Sequence, residues 1–171
     1  HYLDGAERSE LLGLMGRAAY QHLRREEEAI RLLDEASTSQ PPNLDAAEVL
    51  ETIHSGRGSW DLAVECMLRR ARSADTEDAI GLFLKAARTR RDSLRDRRGA
   101  SAIYAEALER NPDEVEALQF QGAFLFENGD LEASVTVFEQ LEKTDSEHDL
   151  DDFDVKMELA LYYYRFGEAL R

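Results

Sequence analysis

The sequence predicts an all-α protein built from antiparallel helix pairs. Apolar residues recur three or four positions apart, in segments of roughly 10–17 residues, which is the spacing of one helix face. Short gaps separate these segments, and short connections favour antiparallel neighbours. The three prolines, Pro41, Pro42 and Pro112, are few, and β-branched residues do not alternate strictly, so the pattern does not indicate strands.

Two stretches show the helical spacing most clearly. The apolar positions of residues 8–23 are Leu11, Leu12, Met15, Ala18, Ala19 and Leu23. Those of residues 115–126 are Val115, Leu118, Phe120, Leu125 and Phe126. Each set is typical of a helix that is apolar on one side.

A small residue recurs along the chain with a bulky apolar residue four positions after it. The four pairs are Ala29 and Leu33, Ala63 and Met67, Ala100 and Tyr104, and Ser134 and Phe138. Successive pairs are offset by 34, 37 and 34 residues, which gives a period of 34 with one insertion of three residues. The small side chain is expected to let two helices approach closely, and the bulky one to fill the space toward the next unit. Because one such unit cannot bury its apolar face alone, neighbouring units stack.

This period and pattern resemble the tetratricopeptide repeat (TPR). Residues 100–112 resemble the second helix of a repeat with its closing proline, and Asn111 is expected to cap the next helix before Pro112. Residues 117–130 resemble the following first helix and its turn. The resemblance implies an all-α, right-handed superhelical solenoid of antiparallel helix pairs with about four and a half repeats. The predicted repeats are 10–43, 44–77, 81–114, 115–148 and a partial repeat at 153–171.

The turn between the two helices of a repeat is marked by glycine in three repeats. Gly58, Gly129 and Gly167 occupy this position, where a left-handed residue is expected. The second repeat departs from the pattern, because Arg70 stands where a small residue is expected and no proline ends the repeat. The whole chain, 1–171, is interpreted as a single TPR-like domain from a longer protein.

A closer resemblance is to long TPR proteins of bacteria. In those proteins a tryptophan opens a helix that is followed by an Arg-Arg-Ala stretch and a Leu-x-Asp turn. Trp60, Arg69-Arg70-Ala71 and Leu94-Arg95-Asp96 follow that order here.

The charge of the chain bears on its partners. The net charge is −15, which repels nucleic acid phosphates and anionic lipid headgroups and favours a basic protein or peptide, although it also serves solubility. Between Asp113 and Asp154 there are fourteen acidic residues and one base, Lys143. That stretch is interpreted either as a docking site for a basic segment or as a solvated loop. No run of about 18 apolar residues occurs, and a cytoplasmic location is expected.

The sequence contains no pattern of catalytic or ligand-binding residues. His1, His22, His54 and His148 lack metal-ligand spacing, and no phosphate-binding loop or nucleophile motif occurs. We therefore predict no enzyme activity, no cofactor and no metal. His22 and His54 are expected near the concave side, either as contacts or as plain helix-end residues. Cys66, among apolar residues, is typical of a buried, inert thiol.

A run of arginines lies between residues 88 and 98. Its members are Arg88, Arg90, Arg91, Arg95, Arg97 and Arg98. It is interpreted either as a site for an acidic partner or as a solvated face, where Asp92 and Asp96 at helical spacing supply ion pairs.

The TPR resemblance implies that a ligand binds in the concave groove lined by the first helix of each repeat. The groove positions are Leu14, Met15, Ala18, Gln21, Glu48, Val49, Thr52, Lys85, Thr89, Asp92, Gln119, Phe120, Ala123, Phe126, Met157, Leu161, Tyr164 and Arg165. The carboxylate clamp of co-chaperone members is absent, because its positions hold Leu14, Ala18, Val49, Leu82 and Ala86. The sequence thus predicts a protein-interaction scaffold. The alternative is a purely structural repeat segment, and a homodimer through exposed terminal helices is a further possibility.

Overall fold

The structure is a computed structural model that describes residues 4–148. Within this range the chain is helical and contains no strand, which confirms the predicted all-α class. The helices are α1 (Gly5–Gln21), α2 (Glu26–Ser37), α3 (Leu44–Gly56), α4 (Trp60–Ser73), α5 (Thr76–Asp92), α6 (Arg97–Arg110), α7 (Val115–Glu127) and α8 (Leu131–His148).

The helices belong to two compact units, His1–Asp96 and Arg97–Arg171. In the first unit, α1 packs against α2, α3 packs against α2 and α4, and α4 packs against α5. In the second unit, α7 packs against both α6 and α8. Each helix thus packs mainly against its neighbour along the chain, as expected of stacked helix pairs.

The recurring small and bulky residues form the core, as the sequence predicts. All eight are buried, and the most exposed of them, Phe138, has 5% of its surface accessible. Two of the bulky residues lie over a glycine of the preceding helix, and Leu33 also belongs to a buried cluster with Leu50 and Ile53 of α3. A Cβ added to Gly16 would lie 2.6 Å from Leu33 Cγ, and one added to Gly122 would lie 2.6 Å from Phe138 Cε1.

The side chain of Tyr104 reaches forward to the next helix, as the sequence predicts. Its ring centre lies 4.6 Å from that of Phe120 on α7, and its hydroxyl donates a hydrogen bond of 2.8 Å to Glu116. The fully buried ring therefore anchors α6 to α7 within the second unit.

The turn that follows each of α1, α3, α5 and α7 contains one residue of positive φ. The predicted glycine positions are confirmed at Gly58 (φ 71°) and Gly129 (φ 81°), whereas Gly167 lies outside the described residues. In the other two turns, arginine occupies the same place, with φ 53° at Arg24 and 56° at Arg95. A side chain in this left-handed region is strained, which glycine avoids.

The turns and helices repeat over two helix pairs. Arg24 and Arg95, like Gly58 and Gly129, are 71 residues apart. The helices α1 and α5 are both 17 residues long, and α3 and α7 are both 13 residues long, with the same offset of 71 between their first residues. Arginine and glycine thus alternate in these turns, and the three-residue insertion inferred from the sequence is part of a period of 71 residues.

Two features differ from the sequence-based expectation. The helix α5 begins at Thr76, inside the stretch assigned to the second repeat, because the Asp75 side chain caps it by accepting a bond from Asp78 N. The predicted cap at Asn111 is wrong. Its side chain accepts a bond of 3.2 Å from Asp113 N in a turn, and α7 begins after it, at Val115.

The strained turns lead to a first prediction. Replacing Arg24 with glycine is expected to raise the free energy of unfolding by about 1 kcal/mol, because the left-handed conformation is costly for a residue with a Cβ. Urea denaturation measures the change. Arg25→Gly is the matched control, since Arg25 has φ −97° and gains nothing from glycine. An equal or smaller gain from Arg24→Gly would contradict the assignment of strain.

Candidate functional site

Arg70, on α4, belongs to an ion network that joins three helices of the first unit. Its Nη1 donates a 2.7 Å bond to Glu51 Oε2, and its Nη2 lies 3.2 Å from Glu48 Oε2, both on α3. The Glu51 side chain is 7% exposed and also accepts a bond from Lys85 Nζ on α5. Two carboxylates and two cations thus link α3, α4 and α5 around a buried acceptor.

This network explains why Arg70 departs from the repeat pattern. The corresponding positions, 34 residues before and 37 after, hold Ala36 and Ala107, which are fully buried. An arginine is too long for that space, so its guanidinium extends to the polar side of α3. Arg70 therefore departs from the repeat pattern because it makes an interaction that is particular to the first unit.

A pocket of about 300 Å³ opens beside Arg70, between α3 and α5. Its lining residues are Leu44, Asp45, Glu48, Arg70, Ala74, Asp78 and Leu82. The volume is at the lower end of ligand sites, so it suits one side chain of a partner better than a large small molecule. Three carboxylates and two leucines favour a cationic side chain with an aliphatic stem.

The groove residues predicted on α1 are accessible. Met15 is 48% exposed, and Ala18 and Gln21 are exposed as well. They lie on the side of α1 that faces away from its buried residues Gly13 and Gly16. A role in binding remains a prediction for these residues.

The groove residues predicted on α3 and α5 lie around the Arg70 network. Glu48 lines the pocket and Lys85 bonds to Glu51, so both are already engaged in ion pairs. Thr52 and Thr89 donate hydrogen bonds to the backbone carbonyls of Glu48 and Lys85. The four predicted residues thus lie on α3 and α5, the two helices that the ion pairs of Glu51 with Arg70 and Lys85 connect to the same network.

The groove residues predicted on α7 differ in accessibility. Gln119 and Phe126 are half-buried. Phe120 is 8% exposed, and its ring lies against Tyr104 and 5.3 Å from the Arg97 guanidinium. The ring of Phe120 therefore packs α6 against α7 and is not open to a partner.

Several predicted positions lie outside the described residues. These are the groove positions Met157, Leu161, Tyr164 and Arg165, and the partial repeat 153–171 as a whole. Four acids of the acidic stretch 113–154 lie there too, namely Asp149, Asp151, Asp152 and Asp154. In the described part of that stretch, Asp113 accepts a bond of 3.2 Å from Thr144 Oγ1, and Glu132 and Glu139 are exposed on α8.

The arginine run forms ion pairs, in part as predicted. Arg91 binds Asp92 at 2.7 Å. Arg90 lies 2.7 Å from Asp61 on α4 and 3.6 Å from Asp96, so it also ties α5 to its neighbour. These contacts support the interpretation as a paired, solvated face.

His54 does not lie on an open groove surface. It is buried at the end of α3, at 8% exposure, and its Nδ1 has no hydrogen-bond partner. Burial, and then the nearby positive charge of Arg57, lowers its pKa below the ordinary value of 6.5, against the opposing influence of Asp34 and Glu65. His22, which follows α1, is exposed.

This burial predicts a dependence of stability on pH. Because the pKa of His54 is lower in the folded state, the unfolded chain binds the proton more readily. The contribution of neutral His54 to stability is therefore complete above pH 6.5 and decreases as the pH falls below it. Urea midpoints of the wild type and His54→Gln between pH 5 and 8 measure this. If His54→Gln leaves the slope below pH 6.5 unchanged, another group is responsible.

Cys66 behaves as the sequence predicts. Its thiol is buried, and desolvation raises its pKa from 9.0 to about 11. In the part of the chain that the structure describes, no three His, Cys, Asp or Glu side chains are grouped as around a metal ion. None of the helices in residues 4–148 has the length and apolar character needed to cross a membrane.

The sequence does not single out Glu51, Asp45 or Asp78, which form the ion network and line the pocket. Glu51 has no distinguishing pattern in the sequence, because an acid on a helix usually faces water. The signal that points to it is Arg70, whose length at a small-residue position requires an acceptor nearby. Asp45 and Asp78 become notable when α3 and α5 are placed side by side.

Comparison with solved structures places this architecture among known folds. The C-terminal part of a TPR repeat-containing protein from Cytophaga hutchinsonii aligns with a TM-score of 0.58 and 16% identity, over 96% of this chain and 63% of that chain. A crystal structure of MamA aligns with a TM-score of 0.50 and 16% identity, over 82% of this chain and 80% of that one. A second MamA structure aligns with a TM-score of 0.50 and 15% identity, over 85% and 77%.

No family model matches the sequence, and no curated protein matches it. Identities of 15% and 16% carry information about architecture and not about partners. The helix pairs, their turns and these structural neighbours together show that the chain has the all-α, helical-repeat solenoid fold of the tetratricopeptide repeat proteins.

Proposed function

We propose that this chain is a non-catalytic protein-interaction scaffold that holds a basic peptide segment in the groove between α3 and α5. The observation that carries the proposal is the pocket beside Arg70, with its carboxylates Asp45, Glu48 and Asp78. The guanidinium of Arg70 is already paired with Glu48 and Glu51, so it does not neutralise Asp45 or Asp78.

The shape of the pocket supports one anchoring side chain. The methylene stem of a lysine or arginine would lie between Leu44 and Leu82, and its charged end would reach Asp78 or Asp45. Asp45 lies 3.6 Å from Arg17 and its side chain is 76% exposed, so that pair is weak and open to exchange. The net charge of −15 also favours the approach of a cationic segment.

The test is selection from a random peptide library displayed on phage, followed by affinity measurement on the best peptides. We expect enrichment of lysine or arginine beside aliphatic residues, with affinity that falls as salt is raised. Asp78→Lys should weaken binding at least about tenfold, because it places a cation in the pocket. Glu77→Lys is the matched control, since Glu77 is the neighbouring acid on α5, is exposed and does not line the pocket.

Two results would contradict the proposal. If no sequence is enriched, the chain is better described as a structural repeat segment without a ligand of its own. If Asp78→Lys and Glu77→Lys reduce the affinity for the selected peptides equally, the attraction is due to the net charge of the chain and not to the pocket.

A further inference from the structure

The helix α1 exposes an apolar face. We define the α1 stripe as Leu11, Leu14, Met15 and Ala18, which follow one another at helical spacing. The three large side chains are 45%, 50% and 48% exposed, so half of each is in water. Within residues 4–148, the other exposed large apolar residues are Leu23 and Leu62, so α1 holds most of this surface.

The α1 stripe is on the side of the helix that its own unit leaves open. The buried residues of α1 are Ser9, Gly13, Gly16 and Ala19, and these form the side that faces α2 and α3. A surface helix normally exposes polar residues on the side opposite the core. The 17-residue helix α1 is unusual, because the side opposite its buried residues is apolar as well.

The equivalent helix α5 shows how the same face is treated elsewhere. The counterparts of Leu14 and Met15, 71 residues later, are Lys85 and Ala86. Lys85 is bonded to Glu51, and Ala86 is fully buried. At these two positions α5 is therefore charged or covered, whereas α1 is aliphatic and exposed, which is typical of a surface that a partner covers.

We propose that the α1 stripe is the interface of a symmetric dimer, in which the α1 helices of two copies of this chain pack antiparallel. Residues Glu10 and Arg17 are seven positions apart, so they lie on the same flank of the stripe. A two-fold axis midway between them passes beside Leu14. It places Glu10 of each copy opposite Arg17 of the other, and Leu14 close to its own symmetry mate.

Charge complementarity selects a second copy as the occupant. An antiparallel pair of α1 helices contains two contacts between Glu10 of one copy and Arg17 of the other. It also joins two α1 stripes of the same length. Arg17 is available, because its ion pair with Asp45 is long, at 3.6 Å, and Asp45 is largely exposed. One helix pair buries less than about 1,200 Å², so the dimer is weak and reversible.

Sedimentation velocity on the full chain, from about 1 μM to about 1 mM, tests the proposal. We expect monomer at the low end and dimer at the high end. Leu14→Glu should raise the dissociation constant at least about tenfold, because it puts two like charges next to the symmetry axis. Leu62→Glu is the matched control. Leu62 lies on α4 with 45% exposure and should leave the dissociation constant unchanged.

Charge reversal identifies the arrangement of the helices. Glu10→Arg and Arg17→Glu should each weaken the dimer, and the double variant should restore it, because only the sign of each pair is exchanged. Circular dichroism confirms that each variant keeps its helical content. A parallel pairing or a different surface would not show this restoration.

Three outcomes overturn the proposal: a chain that stays monomeric to about 1 mM, a dimer unaffected by Leu14→Glu, and a double variant no tighter than the single ones. The first would assign the α1 stripe to a different protein. Affinity for the selected peptides, measured with Leu11→Glu, which also places a charge in the α1 stripe, separates this inference from the proposed function. It should be unchanged, because Leu11 does not line the pocket beside Arg70 and is not one of the groove positions.

Discussion

Replacing Gly16 with alanine is expected to destabilise the first unit by about 2 kcal/mol, although alanine favours helix more than glycine does. The added Cβ would lie 2.6 Å from Leu33 Cγ, 2.8 Å from Leu33 Cδ2 and 3.2 Å from the backbone nitrogen of Leu33. Leu33 is fully buried, so it cannot turn away without disturbing its neighbours. The close approach of α1 and α2 at this point therefore depends on glycine.

Urea denaturation of the variant measures this cost. Gly81→Ala is the control, for which we expect a change in the free energy of unfolding of the opposite sign. Gly81 lies inside α5 with nothing within 4 Å of an added Cβ, so alanine should raise the stability there by about 0.5–1 kcal/mol. The double variant Gly16→Ala with Leu33→Val should cost less than the sum of the two single changes, because the smaller side chain makes room. A stabilising Gly16→Ala would show that the helices can move apart freely.

Removing the carboxylate of Glu51 is the second change with a large expected effect. Glu51→Ala should lower the free energy of unfolding by about 3 kcal/mol, because Arg70 keeps its buried position and loses its nearest acceptor. The Arg70 side chain is 19% exposed, whereas that of Lys85 is 56% exposed and can turn to water. Most of the cost therefore falls on the arginine.

The neighbouring acid provides the control for this change. Glu48 pairs with the same guanidinium, but its side chain is 60% exposed, so Glu48→Ala should cost less than about 1 kcal/mol. The double replacement Glu51→Leu with Arg70→Leu should recover most of the stability lost in Glu51→Ala, since apolar residues can replace a buried ion pair. Equal costs for Glu48→Ala and Glu51→Ala would mean that burial does not distinguish the two carboxylates.

Gly16→Ala changes a position of the repeat pattern, whereas Glu51→Ala changes a position that is particular to one repeat. Gly16 and Leu33 belong to the repeat pattern, and Gly122 with Phe138 occupies the same arrangement in the second unit. Glu51 and Arg70 belong to one repeat, where the pattern fails. We therefore expect changes at the first kind of position to affect folding of any unit, and changes at the second kind to alter the pocket between α3 and α5 as well.

A site residue can be predicted from the sequence when its environment depends on neighbours in the same helix, and not when it depends on a residue of another helix. The α1 residues Met15 and Ala18 are accessible, because one face of a helix can be inferred from spacing alone, and their place in a groove stays a prediction. Phe120 was expected in the groove, yet Tyr104 covers it, since two aromatic rings 16 positions apart pack across a helix junction. Spacing within one helix does not reveal that contact.

The sequence by itself determined the all-α class, the core positions and two of the turn glycines, because these follow from the periodic recurrence of small and bulky residues along the chain. Only the tertiary structure decided where Arg70 reaches, why Arg24 and Arg95 have positive φ, and that the turns repeat every 71 residues. The physical reason is distance along the chain. Burial patterns are local and periodic, whereas an ion network such as that of Arg70, Glu51 and Lys85 depends on which helix faces are brought together in space.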